Sequence, residues 1–219
     1  MMSLQVDFHT HTSVSKDSLT SPERLVATIR RKKLDRAVVT DHNSIAGALA
    51  AQALDSEHII VGEEIMTTKG ELLSSFMTEE IPRGLTPQET IQRLRDQGAF
   101  ISVSHPFDSW RQGAWKLEDL LEIIPLVDAI EIFNARCTNA MDNQKALEFA
   151  QEHHIPGTAG SDAHAAFELG KARLSLPQFE DANGLRIVIP QGQVKGGLSP
   201  IWVHFTSAYA RWRKMKMVV

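Results

Sequence analysis

The sequence predicts an α/β fold of repeated strand–helix units closing toward a barrel, and two observations carry that reading. Short apolar runs alternate with longer amphipathic stretches almost throughout, the pattern of a mainly parallel sheet covered by helices. The residues able to do chemistry then stand at the carboxyl ends of those runs: His9 and His11, Asp41 and His42, Glu64, His105, Asn134, Asp162 and His164. In a closed or nearly closed parallel barrel such ends converge on one face, so these scattered residues would share a pocket.

Each element has its own local reason. LQVDF (4–8) reads as a strand, and Ser21 as a cap with Pro22 at the first helical position opens a helix through 23–33. DRAVVT (35–40) is the next strand, followed by an alanine-rich helix over 44–54. HIIVGEEI (58–65) and ELLSSFM (71–77) are strands joined by MTTKG, whose length and Gly70 predict a hairpin in place of a helical crossover. Thr86, Pro87 and Glu89 form a capping-box start to a helix that Gly98 ends. AFISVS (99–104) is a buried strand. A helix near 116–124, a strand over 128–133, a helix over 139–154 and a strand over 155–161 complete the alternation.

With 219 residues, 42% apolar and 23% charged, the chain suits one domain able to bury a sizeable core. Residues 1–190 are expected to form it, and 191–219 a connector and an amphipathic basic C-terminal helix. QGQVKGGLSP reads as the flexible connector. Beyond it Trp202, Phe205, Tyr209 and Trp212 recur at helical spacing beside a basic cluster from Arg211 to Lys216. Such a stripe is expected to dock on its own barrel or a neighbouring subunit, with membrane-surface contact as the lesser alternative. A net charge of −4 gives no general attraction to nucleic acid, and no stable nucleic-acid complex is expected. The single cysteine, Cys137, excludes an internal disulfide and reads as a small apolar filler. MMSLQVDF has no signal-peptide character and no run approaches a membrane span, so a cytoplasmic location is expected.

In HTHTSVSKDS, strand alternation projects His9 and His11 to the same side about 6 to 7 Å apart, which suits two ligands of one metal ion. SDAH repeats that logic with Asp162 and His164. In TDHN the two candidates are consecutive; His42 is favoured as ligand, with Asp41 fixing its tautomer. Alternation also lets only one of Glu63 and Glu64 face the pocket. Five histidines with at least three carboxylates suit zinc, manganese or iron, and exceed what one ion needs. His58, His153 and His154 are expected to be structural.

Taken in order from about Leu4 to Leu176, HTHTSVSKDS, TDHNS, GEEI, SHPFD and SDAH resemble the successive motifs of the PHP (polymerase and histidinol phosphatase) family. The resemblance implies a distorted (β/α)7 barrel of the PHP type and two or three divalent ions, whether manganese, zinc or iron. It further implies hydrolysis of a phosphomonoester or short phosphodiester by metal-activated water. Carried over by motif, the first site would be His9, His11, Glu64 and Asp162, with Glu64 bridging to a second site that adds His105. The third would be Asp17, His42 and His164. The family's G-x-E pattern selects Glu64 over Glu63, and Asp162, Glu64 and His42 are the expected catalytic residues. The expected partner is a small phosphorylated substrate, nucleotides included, with Arg136, Arg111 and Lys16 as candidate phosphate-binding cations.

One departure stands out. Where many family members have a further second-site histidine, Leu73 is the nearest matching residue here, and Glu71, two residues earlier on the same strand face, is the candidate substitute. Leu73 is the best support for the alternative of a non-catalytic metal-binding PHP module with a structural or regulatory role. An amidohydrolase-type enzyme ranks last, because Glu64 takes the bridging role that a lysine usually fills there and Lys69 falls in a turn.

Overall fold

The computed structural model describes residues 3–217, and the strand–helix alternation is visible in it at once. The strands are β1 (Leu4–Thr10), β2 (Arg36–Val39), β3 (Ile59–Met66), β4 (Glu71–Ser75), β5 (Phe100–Val103), β6 (Ala129–Asn134), β7 (Gly157–Gly160), β8 (Ala172–Leu176) and β9 (Gln193–Gly196). The helices are α1 (Pro22–Lys32), α2 (Ala46–Leu54), α3 (Pro87–Asp96), α4 (Leu117–Ile123), α5 (Ala140–Glu152), α6 (Ala182–Val188) and α7 (Val203–Met217).

The strands form one sheet in the order β7-β6-β5-β4-β3-β2-β1-β8-β9. β1, β2 and β3 are parallel, as are β5, β6 and β7, while β4 runs antiparallel to both neighbours. This is the hairpin that MTTKG predicts. The sheet curls until β7 meets β1 near their carboxyl ends, where the Asp162 N–H donates to the His9 carbonyl at 2.7 Å and the His11 N–H to the Ala163 carbonyl at 2.9 Å. A Cβ on Gly160 would lie 2.8 Å from the His9 backbone nitrogen, so only glycine permits this closure. At the opposite end β1 pairs antiparallel with β8 instead, and the barrel is nearly rather than fully closed.

Local sequence explains the helix boundaries. Ser21 accepts from the Arg24 N–H to cap α1, and Lys33 ends it at φ 55°. Thr86 and Glu89 make both halves of a capping box on α3. Along each inward strand face the chemistry changes with height. From Val38 to Thr40 to His42, from Ile60 to Gly62 to Glu64, and from Phe100 to Ser102 to Ser104, apolar residues give way to polar ones every second position. The apolar ends join Val6, Phe8, Leu174, Phe179 and Leu185 in a cluster that plugs one end of the barrel. A second cluster, including Leu25, Ile29, Val61, Leu94 and Ile101, fills the layer between sheet and helices, each such side chain contributing about 1.5 to 3 kcal/mol.

Two expectations for the C-terminal region are corrected. Residues 193–196, expected within a flexible connector, form β9 and extend the sheet by pairing with β8. The aromatic stripe does not pack into its own barrel: Val203, Ser207 and Ala210 face the barrel, while Trp202, Phe205, Tyr209 and Trp212 are 48–75% exposed. The reason is helical phase, since residues three and four apart share a face and the small residues, not the aromatics, occupy the barrel side. Among the described residues no helix is long and apolar enough to cross a membrane.

Candidate metal centre

The polar ends of the strands meet around Glu64. Its Oε2 lies 3.4 Å from His9 Nε2, 3.5 Å from His11 Nε2 and 2.9 Å from His42 Nδ1. Its Oε1 lies 3.1 Å from His105 Nε2 and accepts from Ser104 Oγ at 2.9 Å. Asp162 completes the group, with Oδ1 3.6 Å from His9 Nε2 and 3.2 Å from His11 Nε2. Strand geometry does not put Asp162 there: it follows β7 at φ 52°, a left-handed conformation that aspartate tolerates better than most residues.

Four of these atoms, His9 Nε2, His11 Nε2, Glu64 Oε2 and Asp162 Oδ1, are buried without a hydrogen-bond partner. Four unpaired buried polar atoms in one place are costly unless something joins them. Tetrahedral ligands about 2.0 to 2.1 Å from a zinc-like ion stand about 3.3 Å apart, and the four distances from the histidines to the carboxylates bracket that value. The donor set therefore fits a divalent cation.

The ring orientations are set from behind. His9 Nδ1–H donates to Glu131 Oε1 at 3.1 Å, and His164 Nδ1–H to the Asp162 carbonyl at 2.8 Å, turning each Nε2 inward. Ser15 Oγ gives its proton to Asp41, so it accepts from His11 Nδ1–H at 3.2 Å and from the His42 N–H at 3.1 Å. This corrects the role expected for Asp41. Its carboxylate is taken up by Thr12 and Ser15, where it pins the loop after β1 and, through Ser15, fixes the tautomer of His11 and not of His42.

Two smaller groups flank Glu64. Glu71 reaches His105 Nε2 at 3.5 Å and His42 Nδ1 at 3.9 Å, while Leu73 is buried beside Glu64 as its cross-strand partner. A Cβ on Gly113 would collide with the Glu71 carboxylate, so the loop after β5 is shaped to hold it. On the other side Asp17 Oδ1 lies 3.6 Å from His42 Nε2 and 3.4 Å from His164 Nε2. Every metal ligand expected from the motifs is thus brought into one cluster, and Glu71 joins it.

The electrostatics follow from this crowding. Burial alone would raise the pKa of Glu64, but the nearby His9 and His42 rings and a hydrogen bond from His105 hold it well below the usual range. Burial likewise opposes ionisation of Asp162, which Arg111 and His9 keep charged. Burial, with His164 and His42 nearby, pushes His11 down to about 4 and favours the neutral ring that ligates metals. Burial opposes a charge on His42, yet Glu64 and Asp17 raise it to about 9.

The expected cations are differently placed. Arg111 is held between Asp108 Oδ2 at 3.0 Å and Asp162 Oδ2 at 2.5 Å. Arg136 is 3% exposed and donates to the Val203 carbonyl at 3.2 Å and Ser207 Oγ at 2.9 Å, so much of its guanidinium secures α7. Lys16 is exposed at the rim of the cavity of ≈ 580 Å³ over the cluster. Burial raises the Cys137 thiol, in line with a filler role, and His58 is paired with Asp55. Sequence reasoning missed Glu131, whose only signal is one carboxylate inside the apolar run AIEIF, and Arg211, whose Nη1 lies 3.2 Å from Asp17 Oδ2.

Comparison with known proteins adds the following. A family model described as PHP-associated matches residues 140–193. MJ0417, an uncharacterized protein of Methanocaldococcus jannaschii, is 37% identical over 179 residues, which cover 80% of this chain and 72% of that one. PsfC from Pseudomonas syringae PB-5123 superposes with a TM-score of 0.72 at 18% identity, covering 96% of this chain and 99% of PsfC. A two-domain protein from Bacteroides vulgatus containing a predicted PHP-like metal-dependent phosphoesterase gives 0.71 at 16% identity. There 90% of this chain is covered, and the chain spans 65% of that protein's length.

Proposed function

The chain belongs to the PHP family, and from that premise we propose that it is a metal-dependent phosphoesterase acting on a phosphomonoester or a short phosphodiester. The observation that carries the proposal is the convergence of His9 Nε2, His11 Nε2, Glu64 Oε2 and Asp162 Oδ1, buried and otherwise unpaired, at ligand-to-ligand spacing. The fold shared with the Bacteroides vulgatus protein is consistent with it.

In this reading His9, His11, Glu64 and Asp162 hold one cation; Glu64, His105 and Glu71 a second; and Asp17, His42 and His164 a third. Divalent ions at these positions supply Lewis acidity toward a phosphoryl group and acidify water into the neutral range. The chain's own part is positioning. Glu64 spans two positions with its two oxygens, and Glu131 and Ser15 keep Nε2 of His9 and His11 aimed inward. Arg111, already beside Asp162, is placed to meet phosphoryl oxygens with a planar fork of donors. Glu71 offers a carboxylate beside His105 where the family's histidine is absent, which supports the catalytic reading over a non-catalytic module.

The test is phosphate release by manganese-reconstituted protein from a panel of phosphomonoesters and short diesters, beside a chelated control and Asp162→Asn. Release that requires metal and disappears in the variant is expected. Metal uptake without release from any ester contradicts the proposal.

A further inference from the structure

Helix α7 looks peripheral in sequence, yet its polar contacts fall on loops that border the metal centre. Lys214 Nζ donates to the carbonyls of Ser13 and Ser15, on the loop that bears His11 and Asp17. Arg136, just after β6, donates to the Val203 carbonyl and Ser207 Oγ, and the Ser199 N–H to the Ala135 carbonyl at 2.7 Å. Three α7 side chains, His204, Ser207 and Arg211, line the cavity over the metal centre. The helix carries four cations, Arg211, Arg213, Lys214 and Lys216, and no carboxylate.

We propose that Arg211 is a substrate-binding residue of this centre, a guanidinium that α7 delivers to the phosphoryl oxygens. The inference rests on the phosphoesterase reading above. Asp17 is the pivot of the argument, because Oδ1 faces His42 and His164 while Oδ2 faces Arg211 Nη1 at 3.2 Å. One carboxylate thus serves both a candidate cation position and the arginine. A guanidinium has five donors in a fixed plane, so Arg211 can keep one contact to Asp17 and still present a pair of N–H groups to a phosphate beside it. Its side chain is 46% exposed and borders the cavity. Arg111 reaches the same cavity but already commits Nε and Nη1 to two aspartates, and Arg136 is buried against α7. Arg211 therefore combines free donors, access to the cavity and contact with a candidate ligand.

The experiment compares the wild type with Arg211→Gln, Arg211→Lys and, as a control on the same helix, the exposed Arg213→Gln. Each is loaded with manganese, and three quantities are measured: metal per chain, binding of inorganic phosphate by calorimetry, and KM and kcat on the best phosphoester. Arg211→Gln is expected to weaken phosphate binding about tenfold, the scale of one lost charge-assisted hydrogen bond, and to raise KM more than it lowers kcat. Arg211→Lys should recover part of the loss, because lysine keeps the charge and loses the fork. Arg213→Gln should match the wild type, and metal content should be unchanged throughout. Phosphate affinity unaltered in Arg211→Gln overturns the inference, as does loss of metal in that variant, which would make Arg211 a positioning residue for Asp17. Wild-type protein that takes up manganese but neither binds nor releases phosphate overturns the phosphoesterase reading and this inference together; hydrolysis intact in wild type and Arg211→Gln alike removes only the latter.

Discussion

Glu63 and Glu64 are neighbours on β3, both fully buried, yet they sit on opposite faces of the sheet and meet different chemistry. Glu64 points into the barrel among four imidazoles, of which His9 and His42 do most to hold it ionised. Glu63 points into the layer between sheet and helices, where Oε2 accepts from the Ile81 N–H at 3.0 Å and Oε1 has no partner. Burial pushes its carboxyl up to about 8, so it is neutral at physiological pH. Depth of burial is therefore a poor guide to charge. What the carboxyl faces decides it, and on a strand that is decided by parity.

The largest test of this contrast is Glu64→Gln, which keeps the shape and removes the charge that four histidines surround. Metal uptake is expected to collapse, and any phosphoester hydrolysis to fall by on the order of 10³-fold or more. Next comes Glu71→Leu, the change that would make the strand apolar where it meets His105. It should cost one divalent ion per chain, read by elemental analysis, and about 10- to 100-fold in rate. Ser15→Ala removes the group that orients His11 and should weaken metal affinity about tenfold, measured by competition with a chelating indicator.

The smallest effect on the metal centre is expected from the other face of the strand, where the change is one of fold stability. Glu63→Gln keeps an acceptor for Ile81 and should stabilise the fold by about 1 to 3 kcal/mol at neutral pH. The sign follows from linkage. The native state holds the Glu63 proton up to about pH 8, whereas the unfolded chain gives it up near the ordinary value of 4.5, so wild-type stability is lost as pH rises through that window. The advantage of the variant should be absent at pH 4 and grow toward pH 8 in urea titrations of apoprotein.

Much of this arrangement was legible in the sequence, for physical reasons that can be named. The barrel and its hairpin followed from apolar runs, caps and Gly70, and the cluster of candidate ligands from polar residues at strand ends. The family motif separated Glu64 from Glu63 where alternation said only that they differ. What stayed hidden depends on side-chain rotamers and on contacts between distant segments. Asp41 was linked to His42 by adjacency, but Ser15 intercepts it. Glu131 reads as a strand residue until His9 is placed beside it. β8 and β9 pair across a long connection that includes α6, and α7 turns its aromatic stripe outward because its small residues fit the barrel.

The most direct measurement is the number of divalent cations bound per chain after manganese loading and dialysis, in the wild type and in Glu64→Gln. A multinuclear centre organised by Glu64 predicts two or three ions per wild-type chain and fewer than one in the variant. Full retention of metal by Glu64→Gln, or a wild type that binds none, would contradict it.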